Sequence, residues 1–198
     1  MGQPVVHWEI AAKDAAALAK LYADTFGWSA KEAMPGYVLM DTCASGTGIA
    51  GGIAQTSEQM GNMTGVNFYV EVDDIPAYLA KITAAGGSTI MAEQPIPEVG
   101  SFGVFKDPDG HVMGLYKPVR AYDPSELGGS KGEGCPVVHW ELWSNDEKSN
   151  AAFYAQVFGW KPQTFYPGYE YMDTQTPIGI MGGIMKTQPD GQTWGTGL

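Results

Sequence analysis

The chain repeats itself. Val5-Val6-His7-Trp8-Glu9-Ile10 returns as Val137-Val138-His139-Trp140-Glu141-Leu142, and Phe26-Gly27-Trp28 returns as Phe158-Gly159-Trp160. Pro35-Gly36-Tyr37 returns as Pro167-Gly168-Tyr169, and Met40-Asp41-Thr42 as Met172-Asp173-Thr174. All four pairs stand 132 positions apart, as His7 and His139 do. After a deletion of one residue, Gly48-Ile49-Ala50-Gly51-Gly52-Ile53 meets Gly179-Ile180-Met181-Gly182-Gly183-Ile184. So many matches in one register mark a duplication, and a duplicated chain folds as copies of one supersecondary unit.

The unit reads as a strand, a helix and then three strands. Val5 to Ile10 is strand-like. Lys13 to Phe26 is helical, with Leu18, Leu21, Tyr22 and Phe26 on one stripe. Gly27 supplies the left-handed stop. Tyr37 to Thr42 and Gly48 to Gln55 read as strands. Residues 66–118 have the same order in a drifted sequence. Val66 to Val72 alternates apolar and polar, Asp73-Asp74 caps a helix with Pro76 in its first turn, and that helix ends at Gly86-Gly87. Ser101 to Lys106 and His111 to Lys117 pair across the turn Asp107-Pro108-Asp109-Gly110. The expected architecture is α+β: tandem βαβββ modules at 4–60, 65–118 and 136–198. Residues 1–118 are expected to form a complete two-module domain and 119–135 a linker rich in Gly, Ser, Pro and charge, with 136–198 as a half domain.

With 44% hydrophobic residues and 12% aromatic in 198, a sizeable core can form. The net charge of −11 repels phosphate backbones and anionic lipid, so neither nucleic acid nor membrane is an expected partner. No apolar run is long enough to cross a bilayer, Met1-Gly2-Gln3-Pro4 lacks a leader pattern, and Cys43 and Cys135 have neither metal spacing nor a disulfide framework. A cytoplasmic location is expected.

The helix ending in Phe26-Gly27-Trp28, the segment Val70-Glu71-Val72-Asp73-Asp74-Ile75 and the hairpin Phe105-Lys106-Asp107-Pro108-Asp109-Gly110-His111 together resemble the vicinal oxygen chelate superfamily of glyoxalases, bleomycin resistance proteins and extradiol dioxygenases. Ile96 to Phe105 and Gly114-Leu115-Tyr116-Lys117-Pro118 are most similar to two-domain glyoxalase-like proteins of the mycobacterial antigen type. Those relatives have four modules. The chain is expected to carry three of the four, since Thr196-Gly197-Leu198 matches Thr64-Gly65-Val66 at the start of module two. The resemblance implies that modules pair into a cupped mixed sheet or open barrel (the glyoxalase/bleomycin resistance/dioxygenase fold), with a small-molecule site inside the cup and, in many members, a divalent metal that polarises two neighbouring substrate oxygens. Four strand positions supply its ligands. In this chain they are His7, which fits, Asn67 in place of His, Gly114 in place of Glu, and Gly51-Gly52 with no donor. No metal centre or other cofactor is therefore expected.

Strand alternation puts His7 and Glu9 on one face, with Val6, Trp8 and Ile10 opposite, and puts Asn67, Tyr69 and Glu71 together on theirs. These residues are the candidate ligand-binding set, with His139 and Glu141 as their counterparts in module three. No catalytic residue is assigned, although His7 beside Glu9 could act as a general base. His111, next to a turn, reads as a solvated surface residue. The tryptophans read as core, and the Gly-Gly pairs as places of close backbone approach. Module three has a sheet edge without a partner, so a homodimer through 136–198 is expected, bringing His139 and Glu141 of two chains together. Two functional classes stay open: a small-molecule binder of the bleomycin-resistance kind, and a glyoxalase-like lyase or isomerase, with a metal-dependent dioxygenase behind both. A degenerate fragment that still folds is the plainer alternative.

Overall fold

The computed structural model describes residues 2–44, 46–56, 65–120 and 131–188. Module one runs β1 (Val5–Ala12), α1 (Ala15–Phe26), β2 (Ser29–Met34), β3 (Tyr37–Asp41) and β4 (Gly51–Gln55). Module two runs β5 (Gly65–Glu71), α2 (Ile75–Ala84), β6 (Ser88–Ile96), β7 (Gly100–Lys106) and β8 (Val112–Pro118). Module three runs β9 (His139–Ser144), α3 (Glu147–Phe158), β10 (Lys161–Tyr166), β11 (Tyr169–Asp173) and β12 (Met181–Lys186). Each module is thus βαβββ. Of the linker expected at 119–135, residues 121–130 lie outside the described residues.

Each helix starts at an aspartate whose carboxylate accepts a backbone N–H three residues on: Asp14 from Ala17, Asp74 from Ala77 and Asp146 from Ser149. Glycines in the left-handed conformation, Gly27 and Gly159, stop α1 and α3. The strands β2, β6 and β10 had no sequence signal. All three are outermost strands, exposed along nearly their whole length, so they carry no buried face to produce alternation.

The eight strands of modules one and two form one sheet, in the order β2-β3-β4-β1-β5-β8-β7-β6. Its centre is the antiparallel pair β1 and β5, with β4 parallel to β1 and β8 parallel to β5. The order is open rather than closed into a ring, so the sheet is a cup and not a complete barrel. Module three forms a second sheet, β10-β11-β12-β9. There β9, the counterpart of β1, is an edge strand among the described residues.

Helices α2 and α3 meet between the two sheets. The ring of Tyr78 on α2 stacks on Phe158 of α3 at 5.8 Å, and Phe105 meets the same ring at 6.0 Å. Phe68 on β5 reaches Trp140 on β9. One hydrophobic core therefore runs through all three modules. The predicted stripe of α1 differs from this. Ala15 and Ala19 are its buried residues, Leu18 and Tyr22 are half-buried, and Leu21 is 55% exposed. The matching helix α3 buries Ala151, Phe153, Tyr154, Val157 and Phe158 because α2 packs on it.

The segments leading into β1 and β9 change places. Residues before β1 dock on module three: Gln3 N–H donates to Phe158 O, Trp160 Nε1 donates to Gln3 O at 2.6 Å, and Ile180 N–H donates to Val5 O. Residues before β9 dock on module one by the same bonds: Cys135 N–H to Phe26 O, Trp28 Nε1 to Cys135 O at 2.7 Å, and Ile49 N–H to Val137 O. Gly2 and Gly134 make these crossings passable. A Cβ on either would sit 1.9 Å from a carbonyl oxygen, of Thr174 or Thr42. None of the helices among the described residues is long and apolar enough to span a membrane.

Candidate functional site

The register of the first sheet fixes what faces the cup. Leu39, Gly52, Glu9 and Asn67 lie in one row across β3, β4, β1 and β5. His7, Tyr69, Gly114, Val104 and Met91 lie in the next, and Glu71, Tyr116 and Phe102 in the third. The floor is polar and the outer wall apolar. Leu39 is 43% exposed and Met91 41% exposed, as apolar side chains facing an open cup are.

A hydrogen-bonded chain crosses the floor. His7 Nε2 and the Tyr37 hydroxyl are 3.0 Å apart. The Tyr37 hydroxyl bonds Glu9, and the Tyr69 hydroxyl donates to Glu9 Oε1 at 3.2 Å. With both phenols donating to one carboxylate, Tyr37 is left to accept, which puts the His7 proton on Nε2. Burial pushes His7 down to about 4, so it is neutral at physiological pH. Burial also raises Glu9, against the pull of the two tyrosine hydrogen bonds. Both tyrosines are held well above the ordinary phenol range by burial and by the Glu9 charge. Glu71 is raised by burial as well, and its Oε2 is buried without a hydrogen-bond partner.

The two glycines of the floor are covered by rings. A Cβ on Gly52 would lie 2.2 Å from the Tyr37 hydroxyl, and one on Gly114 would lie 2.1 Å from Tyr69 Cδ1. The tyrosines occupy the volume that longer side chains at those positions would need. Among the described residues, no three His, Cys, Asp or Glu side chains gather as metal ligands would.

All five candidates of the first domain, His7, Glu9, Asn67, Tyr69 and Glu71, lie on the cup side by register. Sequence reasoning did not pick out Tyr37, Leu39, Met91, Phe102, Val104 or Tyr116. A signal existed for Tyr37, since Pro-Gly-Tyr is one of the repeated segments. The wall residues lie on strands whose pairing partners only the topology reveals. Trp8 packs on the helix side over Gly51, as alternation predicts.

Module three repeats half of this floor. His139 Nε2 lies 3.0 Å from the Tyr169 hydroxyl, and Glu141 bonds that same hydroxyl. Tyr169 is pushed up to about 12 by burial and by Glu141. His139 is exposed, and no counterpart of β5 stands beside β9 among the described residues.

His111 departs from its expected place. It is not a solvated surface residue: its side chain is 19% exposed, Nδ1 lies 2.8 Å from Asp107 Oδ2, and Nε2 lies 2.8 Å from the Trp143 carbonyl. The reading failed because its second partner lies on β9, 32 residues along the chain.

The family model of the Glyoxalase/Bleomycin resistance protein/Dioxygenase superfamily matches residues 5–115, over half of the chain, and the chain belongs to that superfamily. The Mycobacterium bovis protein bearing the name glyoxylase CFP32 is 46% identical over 50 residues, which are 25% of this chain and 19% of that one. The anthracycline biosynthesis protein DauV of Streptomyces sp. strain C5 is 25% identical over 170 residues, covering 78% of this chain and 60% of its own length. Among solved structures, the Mn(II)-bound glyoxalase from Novosphingobium aromaticivorans is similar with a TM-score of 0.68 at 16% identity, covering 93% of this chain and 61% of that one. At that identity the likeness is one of fold. The chain spans less than two thirds of each of these three proteins.

Proposed function

We propose that the cup of modules one and two binds a small organic molecule with an aromatic or alicyclic body, and does so without the family's divalent metal. One observation carries this reading: Tyr37 and Tyr69 converge on Glu9 while their rings fill the space over Gly52 and Gly114. The residues do not fit a divalent ion. Of the four family positions, one offers a nitrogen donor, His7, whose Nε2 is engaged with Tyr37. Two are glycines under tyrosine rings and one is Asn67, whereas most metal sites use three or more protein donors. What remains suits ligand binding: a few convergent polar groups on a floor, ringed by Leu39, Met91, Phe102, Val104 and Tyr116.

The similarity to a protein named for anthracycline biosynthesis makes an anthracycline a reasonable first ligand. Its fluorescence is titrated with the purified protein and with Tyr69→Phe, beside elemental analysis of the same preparation. The expected result is saturable binding that Tyr69→Phe weakens by about tenfold, as loss of one hydrogen bond to a charged group does, and no stoichiometric metal. One divalent ion per chain would overturn the metal-free reading. If no ligand of this class perturbs the cup, the binding reading fails.

A second reading has one observation behind it. Burial raises the Glu9 carboxyl, and a carboxylate so raised is a better proton acceptor near neutral pH. A glyoxalase-like lyase or isomerase would use it as a base. Turnover that Glu9→Gln abolishes, with ligand affinity kept, would favour this reading over plain binding.

A further inference from the structure

The turn between β7 and β8 carries a cluster that the cup does not use. Asp107 is buried, and its Oδ1 accepts the backbone N–H groups of Gly110 and His111, each at 2.8 Å. Its Oδ2 accepts His111 Nδ1–H and the Tyr154 hydroxyl of α3, the latter at 2.9 Å. On the other side of the ring, His111 Nε2 meets the Trp143 carbonyl of β9. Ser144 donates to Asp109 Oδ2. The turn of module two is thus seated at the junction of β9 and α3 in module three.

Each ring nitrogen of His111 faces an acceptor at 2.8 Å, the Asp107 carboxylate at Nδ1 and the Trp143 carbonyl at Nε2, with the Asn150 Nδ2 amide farther from Nδ1 at 3.5 Å. Only an imidazolium donates to both. A neutral imidazole keeps one proton, and the anionic acceptor retains it. Its bare Nε2 lone pair then faces the lone pairs of the Trp143 oxygen. We propose that Asp107–His111 is a proton-operated latch between modules two and three: closed on the Trp143 carbonyl while His111 carries two ring protons, released there when it carries one.

The charged groups on the surrounding elements are few. Asp107 and Asp109 lie in the turn, Lys106 ends β7, Asp146 caps α3, and Glu147 and Lys148 open that helix. Burial alone would lower the His111 value. Asp107, the Trp143 carbonyl and Asp109 outweigh it and hold the ring above the ordinary histidine range. Asp107 is held low by His111 and Asn150 despite its burial. The latch therefore holds over a window bounded below by protonation of Asp107 and above by deprotonation of His111. Release is local, because Tyr78 and Phe105 still pack on Phe158.

The test is an NMR titration of the full chain, following the His111 ring and the exchange of the Trp143 to Asp146 amides, corrected for intrinsic exchange. The expected result is a His111 midpoint above the usual value of about 6.5. Protection of those amides should fall about tenfold or more across that midpoint, the change that loss of a charge-assisted hydrogen bond produces. In His111→Asn, protection should be low throughout and show no step. A midpoint at or below the ordinary value, or a step that survives in His111→Asn, overturns the proposal. The wild-type titration decides the matter alone if the variant does not fold.

Discussion

Two of the three histidines, His7 and His111, push the stability of the chain in opposite directions. His7 is driven down to about 4 by burial, so between there and the ordinary value of about 6.5 the unfolded chain binds more protons than the folded one. Its contribution to stability is present above that window and lost as pH falls through it. His111 is raised, so its contribution is complete below the unfolded value and lost as pH rises through the folded one. In a ring-proton NMR titration the His7 signal is expected to move near pH 4 and the His111 signal above about 6.5. Crowding by tyrosine makes a second prediction. Gly114→Ala places a methyl 2.1 Å from the Tyr69 ring and is expected to cost about 1–3 kcal/mol in urea denaturation. Tyr69→Leu in the same chain should recover part of that loss. At this scale the sequence was half legible. Alternation alone found His7, Glu9, Asn67 and Tyr69, because the period of a strand puts every second side chain on one face. It could not find the Trp143 carbonyl that His111 meets, which comes from another module.

Helices α1 and α3 are copies with the same aspartate cap and the same glycine stop, yet they do different work. Phe158 is buried between α2 and β7, whereas its duplicate Phe26 is 37% exposed. The same substitution should therefore give two answers. Phe158→Ala is expected to cost about 3–5 kcal/mol as a core deletion, and Phe26→Ala about 1 kcal/mol, measured by denaturant midpoint at constant slope. Helix ends were legible from capping chemistry within a residue or two. Burial was not, because a stripe of Leu18, Leu21, Tyr22 and Phe26 says that a helix has an apolar face without saying what covers it. The strands β2, β6 and β10 were counted in the module but not located, for the converse reason: exposed along nearly their whole length, they have no pattern to read.

For the whole molecule, the repeat was enough to forecast an α+β fold of βαβββ modules, and the family resemblance supplied the open cup. It did not forecast how the third module joins the first two. Because one core cluster spans all three, thermal unfolding is expected to be a single transition by both near- and far-ultraviolet circular dichroism. Phe158→Ala should separate it into two. The homodimer expected through 136–198 has a steric demand of its own. Trp140 on β9 already rests on Phe68, so a two-fold axis along that edge brings two first domains toward the same space. Light scattering reads the outcome directly. A particle of twice 21.2 kDa supports pairing at β9, and a particle of that single mass supports the steric argument.

The exchanged lead-in segments also set an order of events during synthesis. Gln3 leaves the ribosome about 155 residues ahead of its partners Phe158 and Trp160, and Val5 leads its partner Ile180 by more still. At about 5–20 residues per second, the start of the first strand waits on the order of ten seconds for the residues that hold it. Modules one and two can assemble their shared sheet in that interval with one end still loose. The nascent chain therefore closes from the inside outward, and the lead-in to β1 is among the last parts to be fixed.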